Sequence, residues 1–218
     1  QFRGITGQGH ANSKLPTKWS LNSSNLLWRT EIDGKAWSSP ILADGQVVVT
    51  NSRISTIDNL LELEALALDG NTGKVVWKCS LFSYPNIPRI HQKNSYASPT
   101  PFFDGESIFV HFGNLGTASL SPEGKVLWKK VFSYSPVHGS GSSPIVHGNL
   151  LLFSADGASD PAIYALNKSS GAVVWKKRRS SDPKKKFSFS TPLVVPKGDD
   201  FQIISPASDY VFSYSLLG

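Results

Sequence analysis

Ala67-Leu68-Asp69-Gly70-Asn71-Thr72-Gly73-Lys74-Val75-Val76-Trp77 is the stretch on which the reading of this chain turns. An alternating apolar run ends in Asp-Gly-Asn-Thr-Gly, residues that tolerate positive φ or bond their own backbone. A second β-branched run then closes on tryptophan, so the stretch reads as a hairpin. Its tryptophan recurs. Trp28, Trp77, Trp128 and Trp175 stand 49, 51 and 47 residues apart. A Ser/Thr-Pro pair keeps step at Ser39-Pro40, Ser98-Pro99, Ser143-Pro144 and Thr191-Pro192. Two markers sharing one period define a repeat.

Each unit carries four short β-rich runs. In the third they are SSPIVH, LLLFSA, AIYAL and AVVWKK, separated by turns and a loop; in the first, a longer loop separates QVVVTN from LEALAL. No segment holds a 3.6-residue apolar period for three turns, so almost no helix is expected. Four strands per 40–50 residues is the pattern of a propeller blade, whose twisted sheet buries both faces only between neighbours. The expectation is an all-β chain, a β-propeller of four-stranded antiparallel blades, with about four blades of a seven- or eight-bladed ring. It forms one partial domain over 1–218. An opening segment and closing strand occupy 1–35, blades 36–82, 96–130 and 139–179, and an incomplete blade 187–218. The Trp-bearing run Leu26 to Ile32 reads as an outer strand without inner strands before it, the kind that completes the last blade of a ring. The remaining blades are expected from further sequence or, as the lesser alternative, from a second copy.

The composition is 39% hydrophobic and 17% charged, without an apolar run long enough for a membrane helix. One cysteine, Cys79, excludes an internal disulfide framework and reads as a passive, partly buried thiol. The chain has no methionine, so any signal or lipid-attachment segment is expected upstream of Gln1. The net charge of +6 is local. Between Lys176 and Lys186, seven basic residues face only Asp182, which accounts for the whole excess.

The quoted stretch resembles the tryptophan-docking motif of quinoprotein (PQQ-type) propellers, A-x-D-x-x-T-G-K-x-x-W, through Ala67, Asp69, Thr72, Gly73, Lys74 and Trp77. The third blade keeps Ala165, Gly171 and Trp175, with Asn167, Ser169-Ser170 and Ala172 between; the second keeps Gly124, Lys125 and Trp128 with a shorter turn. Gln1 to Gly9 (QFRGITGQG) is similar to the start of bacterial secreted PQQ-like repeat proteins. The resemblance implies a packing role for Trp28, Ala67, Asp69, Thr72, Gly73, Trp77, Trp128 and Trp175, and an extracytoplasmic location. Quinoprotein dehydrogenases pair a calcium-held PQQ with an Asp base and often a vicinal disulfide. A lone cysteine and no identifiable base place PQQ and calcium behind a non-catalytic reading, and no catalytic, cofactor or metal residue is assigned.

Propeller topology puts the connections between blades on the same face as the second-to-third-strand loops. That face is expected to carry Arg53, Arg89, His91, Lys93, Tyr134, His138, Asp156, Asp160 and the basic loop with Arg178, Arg179, Lys184, Lys185 and Lys186. The other face has only tight turns. Asp156 and Asp160 flank Gly157 and could hold a hard cation or simply shape a turn. No carboxylate or ligand spacing links His91 to His138. The basic loop lacks interleaved aromatics before Phe187, which argues against nucleic acid. The leading expectation is a scaffold binding an unidentified protein or glycan. A PQQ-dependent oxidoreductase is the alternative, and a binder of anionic polysaccharide the third reading.

Overall fold

The structure, a computed structural model, describes residues 1–180 and 182–218. Fifteen strands form four antiparallel sheets with neighbours in chain order, the meander of propeller blades. The first blade is β1 (Ile41–Ala43), β2 (Gln46–Ser55), β3 (Leu60–Asp69) and β4 (Val75–Pro85). The second is β5 (Phe102–Phe103), β6 (Ile108–His111), β7 (Thr117–Leu120) and β8 (Val126–Lys130). The third is β9 (Ile145–His147), β10 (Leu150–Ala155), β11 (Ala162–Asn167) and β12 (Val173–Arg178). The fourth has three strands, β13 (Leu193–Lys197), β14 (Asp200–Pro206) and β15 (Val211–Ser215). The helical content among the described residues is a 3₁₀ turn at Gly113–Leu115.

The core lies between blades. One buried cluster joins the first and second blades through Leu61, Leu63, Ile108 and Val110. Phe109, Trp128, Leu151 and Phe153 join the second to the third. Ile163, Leu152 and Ile203 join the third to the fourth. The middle strands of the second blade, β6 and β7, are buried at every position and so covered on both faces. This accounts for unbroken apolar runs where a one-faced sheet would alternate.

A β-bulge recurs beside Trp77, Trp128 and Trp175. Ala67 pairs Trp77 but Leu68 pairs Val75, and the same skip occurs at Ser119/Leu120 and Ala165/Leu166. The unpaired Val76, Leu127 and Val174 sit about half exposed. The extra residue re-aims the indole out of its own sheet toward the next blade. The rings of Trp28, Trp77 and Trp128 lie on Gly73, Gly124 and Gly171 of the neighbouring hairpin turns, Trp175 lies beside Gly218, and each donates Nε1–H to a nearby carbonyl. Trp28 bonds Gly70 O at 2.9 Å, Trp77 Pro122 O at 2.8 Å, Trp128 Lys168 O at 2.7 Å and Trp175 Leu216 O at 2.9 Å. The accepting turn is shaped by Asp69, whose Oδ1 takes the Asn71 and Thr72 amides and the Thr72 hydroxyl. Gly73, at φ +70°, leaves no room for a Cβ, which would stand 2.5 Å from the Trp28 ring.

Three details depart from the sequence reading. Leu26 to Ile32 is not a strand, because no strand among the described residues pairs with it, yet Trp28 docks like the others. The first blade's longer loop shrinks to four residues. β2 and β3 extend as a ten-residue hairpin in which Arg53 bonds Glu62 at 2.7 Å and the buried Glu64 at 3.3 Å. In the second blade the residue in register is Thr100 before Pro101, not Ser98. Hydroxyls and amides pass from blade to blade: Ser39 N–H to Thr100 Oγ1 (3.0 Å), Thr100 N–H to Ser143 Oγ (2.9 Å) and Ser143 N–H to Thr191 Oγ1 (3.0 Å). Proline holds each preceding residue extended and so fixes this relay.

His111, fully buried on β6, is held neutral. Its Nδ1 pairs with Thr117 Oγ1 at 2.8 Å, its ring packs at a tilt 4.4 Å from Phe153, and burial lowers its pKa to about 3. The unfolded chain takes up a proton near 6.5 and the folded chain does not, so this residue's contribution to stability is lost as pH falls from 6.5 toward 3. Chemical denaturation is expected to show about 2 kcal/mol lower stability at pH 4.5 than at pH 7 from this residue. That loss should be absent in His111→Gln; an unchanged acid limb in the variant would contradict it.

Candidate functional site

The connectors that lead into β5, β9 and β13 meet on one face. Asn94 fastens two of them: its Nδ2 donates to His138 O at 2.8 Å and Ser140 O at 3.3 Å. Its Oδ1 accepts from Ser95 N–H at 2.8 Å and the Ser98 hydroxyl at 2.6 Å. All four of that side chain's bonds are intramolecular, so Asn94 builds the face. The His91 amide adds a bond to His138 O at 3.3 Å.

On this foundation stands a row of rings. His91 and His138 meet edge to face at 4.9 Å, His138 and Phe187 at 4.6 Å, and Phe187 and Phe189 lie 5.6 Å apart. Gly141 admits Phe189, which a Cβ there would meet at 3.0 Å. An open cavity of about 400 Å³ lies against His91, Lys93, Asn94, His138, Gly141 and Phe189. Beside it, a narrower cavity of about 150 Å³ is lined by Arg89, Asn114, Tyr134 and Ser140 among others. Tyr134 is 8% exposed, its hydroxyl has no hydrogen-bond partner of normal geometry, and burial raises its pKa.

The structure divides the residues expected on this face. Arg89, His91, Lys93 and His138 come together at the two cavities. Arg179 and Asp156 do not present themselves at all. Arg179 is 4% exposed, and its guanidinium lies 2.7 Å from Asp156 Oδ1, donates to Ser205 Oγ at 2.8 Å and covers the Phe212 ring at 5.1 Å. A cation surrounded by two blades' acceptors turns inward, so Arg179 is corrected from a surface contact to an interior tie between the third and fourth blades. Burial pushes the Asp156 carboxyl up to about 6, while Arg179 opposes that shift. Asp160 is also committed, to Lys176 and to Arg178 at 2.8 Å, which leaves neither carboxylate open to a metal ion. Lys186 pairs with Asp182 at 3.2 Å, and Lys184 donates its amide to Asp209 at 3.0 Å. The sequence reading missed Phe187 and Phe189 as part of the site. The F-x-F spacing on a connector was the available signal, because it puts two rings where a solvated loop should carry none.

A calcium-held quinone does not fit these residues. The nearby carboxylates are consumed by arginine and lysine. No group of three or more His, Cys, Asp or Glu suited to a metal occurs among the described residues. Cys79, half-buried with its thiol pKa raised by burial, has no second cysteine to form a vicinal pair. No helix among the described residues is long and apolar enough to cross a membrane.

The fold is found in solved structures. The quinohemoprotein alcohol dehydrogenase of Comamonas testosteroni aligns over 80% of this chain and 30% of its own at 13% identity, with a TM-score of 0.55. The quinohemoprotein alcohol dehydrogenase ADHIIG of Pseudomonas putida HK5 aligns over 83% and 30% at 11% identity, with a TM-score of 0.51. BamB of Moraxella catarrhalis aligns over 78% and 47% at 18% identity, with a TM-score of 0.47. The chain thus spans less than half of each of these proteins. No curated protein matches the sequence. A family model described as outer membrane protein assembly factor BamB matches residues 14–155 and 64–211, together most of the chain. With its bulge-aimed tryptophans and meander blades, the chain belongs to that family of PQQ-type β-propeller repeat proteins.

Proposed function

We propose that this protein is a non-catalytic propeller scaffold that binds a partner on its connector face, outside the cytoplasm. The observation that carries the reading is the convergence of three connectors into one surface, where exposed His91 and Phe189 and the half-buried His138 and Phe187 form a continuous row. The opposite face has tight turns committed to receiving tryptophans. Connectors held on a rigid scaffold while presenting apolar rings to water are the usual carriers of recognition. The extracytoplasmic location rests on the resemblance to secreted relatives.

The test is directed at the rival class. Protein supplied with calcium and pyrroloquinoline quinone is expected to give no dye reduction with alcohols or sugars above the protein-free rate. Saturable reduction abolished by omitting the quinone would overturn the scaffold reading.

A further inference from the structure

The narrower cavity is walled by a buried tyrosine hydroxyl, which has the Ser140 side chain beside it but no hydrogen bond of normal geometry, and by a cation without an acidic partner among the described residues. A tyrosine hydroxyl withdrawn from water without a well-formed hydrogen bond destabilises the fold unless a ligand supplies one. Tyr134 is in that position at the wall of a cavity, with its hydroxyl closed off from water. Arg89 lines the same cavity, is exposed, and has no acidic partner among the described residues. Ser140 and Asn114 add polar groups. A donor hydroxyl and a guanidinium together suit a carboxylate, which takes both kinds of hydrogen bond through two oxygens. About 150 Å³ admits such a group with little attached to it.

What adjoins the carboxylate is set by the ring row. Its cavity is wide and open, floored by His138 and Phe189 and edged by Lys93. An open floor of aromatic rings suits the flat C–H face of a pyranose, whereas an apolar peptide side chain binds best in an enclosed pocket. Further along, the basic loop has Lys184 and Lys185 in no ion pair among the described residues, whereas Lys176 and Arg178 share Asp160, Arg179 pairs with Asp156 and Lys186 with Asp182. Cations beyond the two cavities suit a ligand whose charge repeats.

We propose that the connector face binds an acidic polysaccharide built of uronate sugars, with one carboxylate in the Arg89–Tyr134 cavity and its pyranose ring on the His138–Phe189 floor. This rests on the binding-scaffold reading and names its ligand.

The experiment is isothermal titration of the protein with oligogalacturonate at 0.15 M salt, beside its carboxyl-reduced, neutral counterpart and polyglutamate of equal charge. Saturable binding of the oligogalacturonate is expected, with at least tenfold loss for the neutral sugar. Arg89→Gln and Phe189→Ala should each weaken binding about tenfold, and Tyr134→Phe about fivefold. Tyr134→Phe removes an oxygen that makes no hydrogen bond of normal geometry within the chain, so its unfolding midpoint should change little, which separates a lost contact from a lost fold. No saturable binding would overturn the proposal. So would equal affinity for polyglutamate, which would mark an acidic peptide as the ligand. Binding lowered by neutralising Lys184 to Lys186 but indifferent to Arg89, Tyr134 and Phe189 would reduce it to surface charge and also overturn it. The scaffold reading survives each of these results and falls only to quinone-dependent turnover.

Discussion

Arg179→Ala is expected to destabilise the protein by about 3–5 kcal/mol, the range for stripping one partner from a buried ion pair. The guanidinium reaches two residues of the third blade, Asp156 and Ser154, and three of the fourth, Ser205, Phe212 and Tyr214. Its loss leaves a carboxylate that is 8% exposed, without compensation and against a void between blades. The size of the effect should depend on pH, and the sign follows from Asp156. Burial raises this carboxyl from its usual 3.8 to about 6 even with Arg179 opposing the shift. A carboxyl raised on folding favours the fold below its unfolded pKa, and that contribution is lost as pH rises through the folded value. Without Arg179 the folded value moves higher still. The variant's deficit is therefore expected to be smaller at pH 5, where Asp156 can be neutral, than at pH 8, where it must be charged. Asp156→Asn/Arg179→Met should recover much of the loss, since removing both charges ends the mismatch. Urea denaturation of the wild type, Arg179→Ala and the double variant at both pH values measures this. A deficit below about 1 kcal/mol, or one equal at the two pH values, would show that Asp156 and Arg179 are not coupled in this way.

The same pair shows where sequence reading stops. Arg179 stands within a run of basic residues, and by composition nothing separates it from Arg178, which is exposed. What separates them is position. Arg179 is the first residue past β12, where its amide bonds Pro161 O at 2.8 Å and its side chain turns toward the neighbouring blade's acceptors. The blades were legible because their determinants are local and repeated: a turn chemistry, a bulge spacing and a tryptophan, within eleven residues. The Ser/Thr-Pro relay was legible as a repeat but misplaced in the second blade. Ser98-Pro99 and Thr100-Pro101 satisfy the same local rule, and only the bond to Ser143 in the next blade selects Thr100.

The connector face is less legible still. His91, His138 and Phe189 lie on three different connectors, and their meeting depends on blade twist and on Asn94, an ordinary polar loop residue in the sequence. The sequence reading could place the histidines on a common face by topology. It could not pair them, because no spacing rule connects residues 47 apart across two blades. Repetition encodes packing, whereas the site is made of what the repeats do not share.

Trp128→Ala is the other large expected effect, about 3–5 kcal/mol for a buried aromatic truncated to a methyl group. Trp128 is 9% exposed, sits 6.4 Å from Phe109 and bonds Lys168 O at 2.7 Å, so its removal opens a cavity and orphans a carbonyl. Trp19, which lies outside the repeat and is 70% exposed, should change stability by no more than about 0.5 kcal/mol when made alanine. The sharper test is the coupling of the indole to its receiving turn. Gly171 has φ +67°, and a Cβ there would stand 2.6 Å from the Trp128 ring. Gly171→Ala in the intact protein therefore carries two costs, about 1–2 kcal/mol for the left-handed backbone and a steric clash with the indole. In a Trp128→Ala background the clash disappears and only the backbone cost remains. The double mutant is expected to be more stable than the sum of the single losses by at least about 1 kcal/mol, within the range of coupling between touching residues. Thermal and urea denaturation of the wild type, both single mutants and the double measure that difference. Strict additivity would mean that the indole and the glycine do not meet, and the tryptophan spacing would then mark a repeat without supplying its blade-to-blade contact.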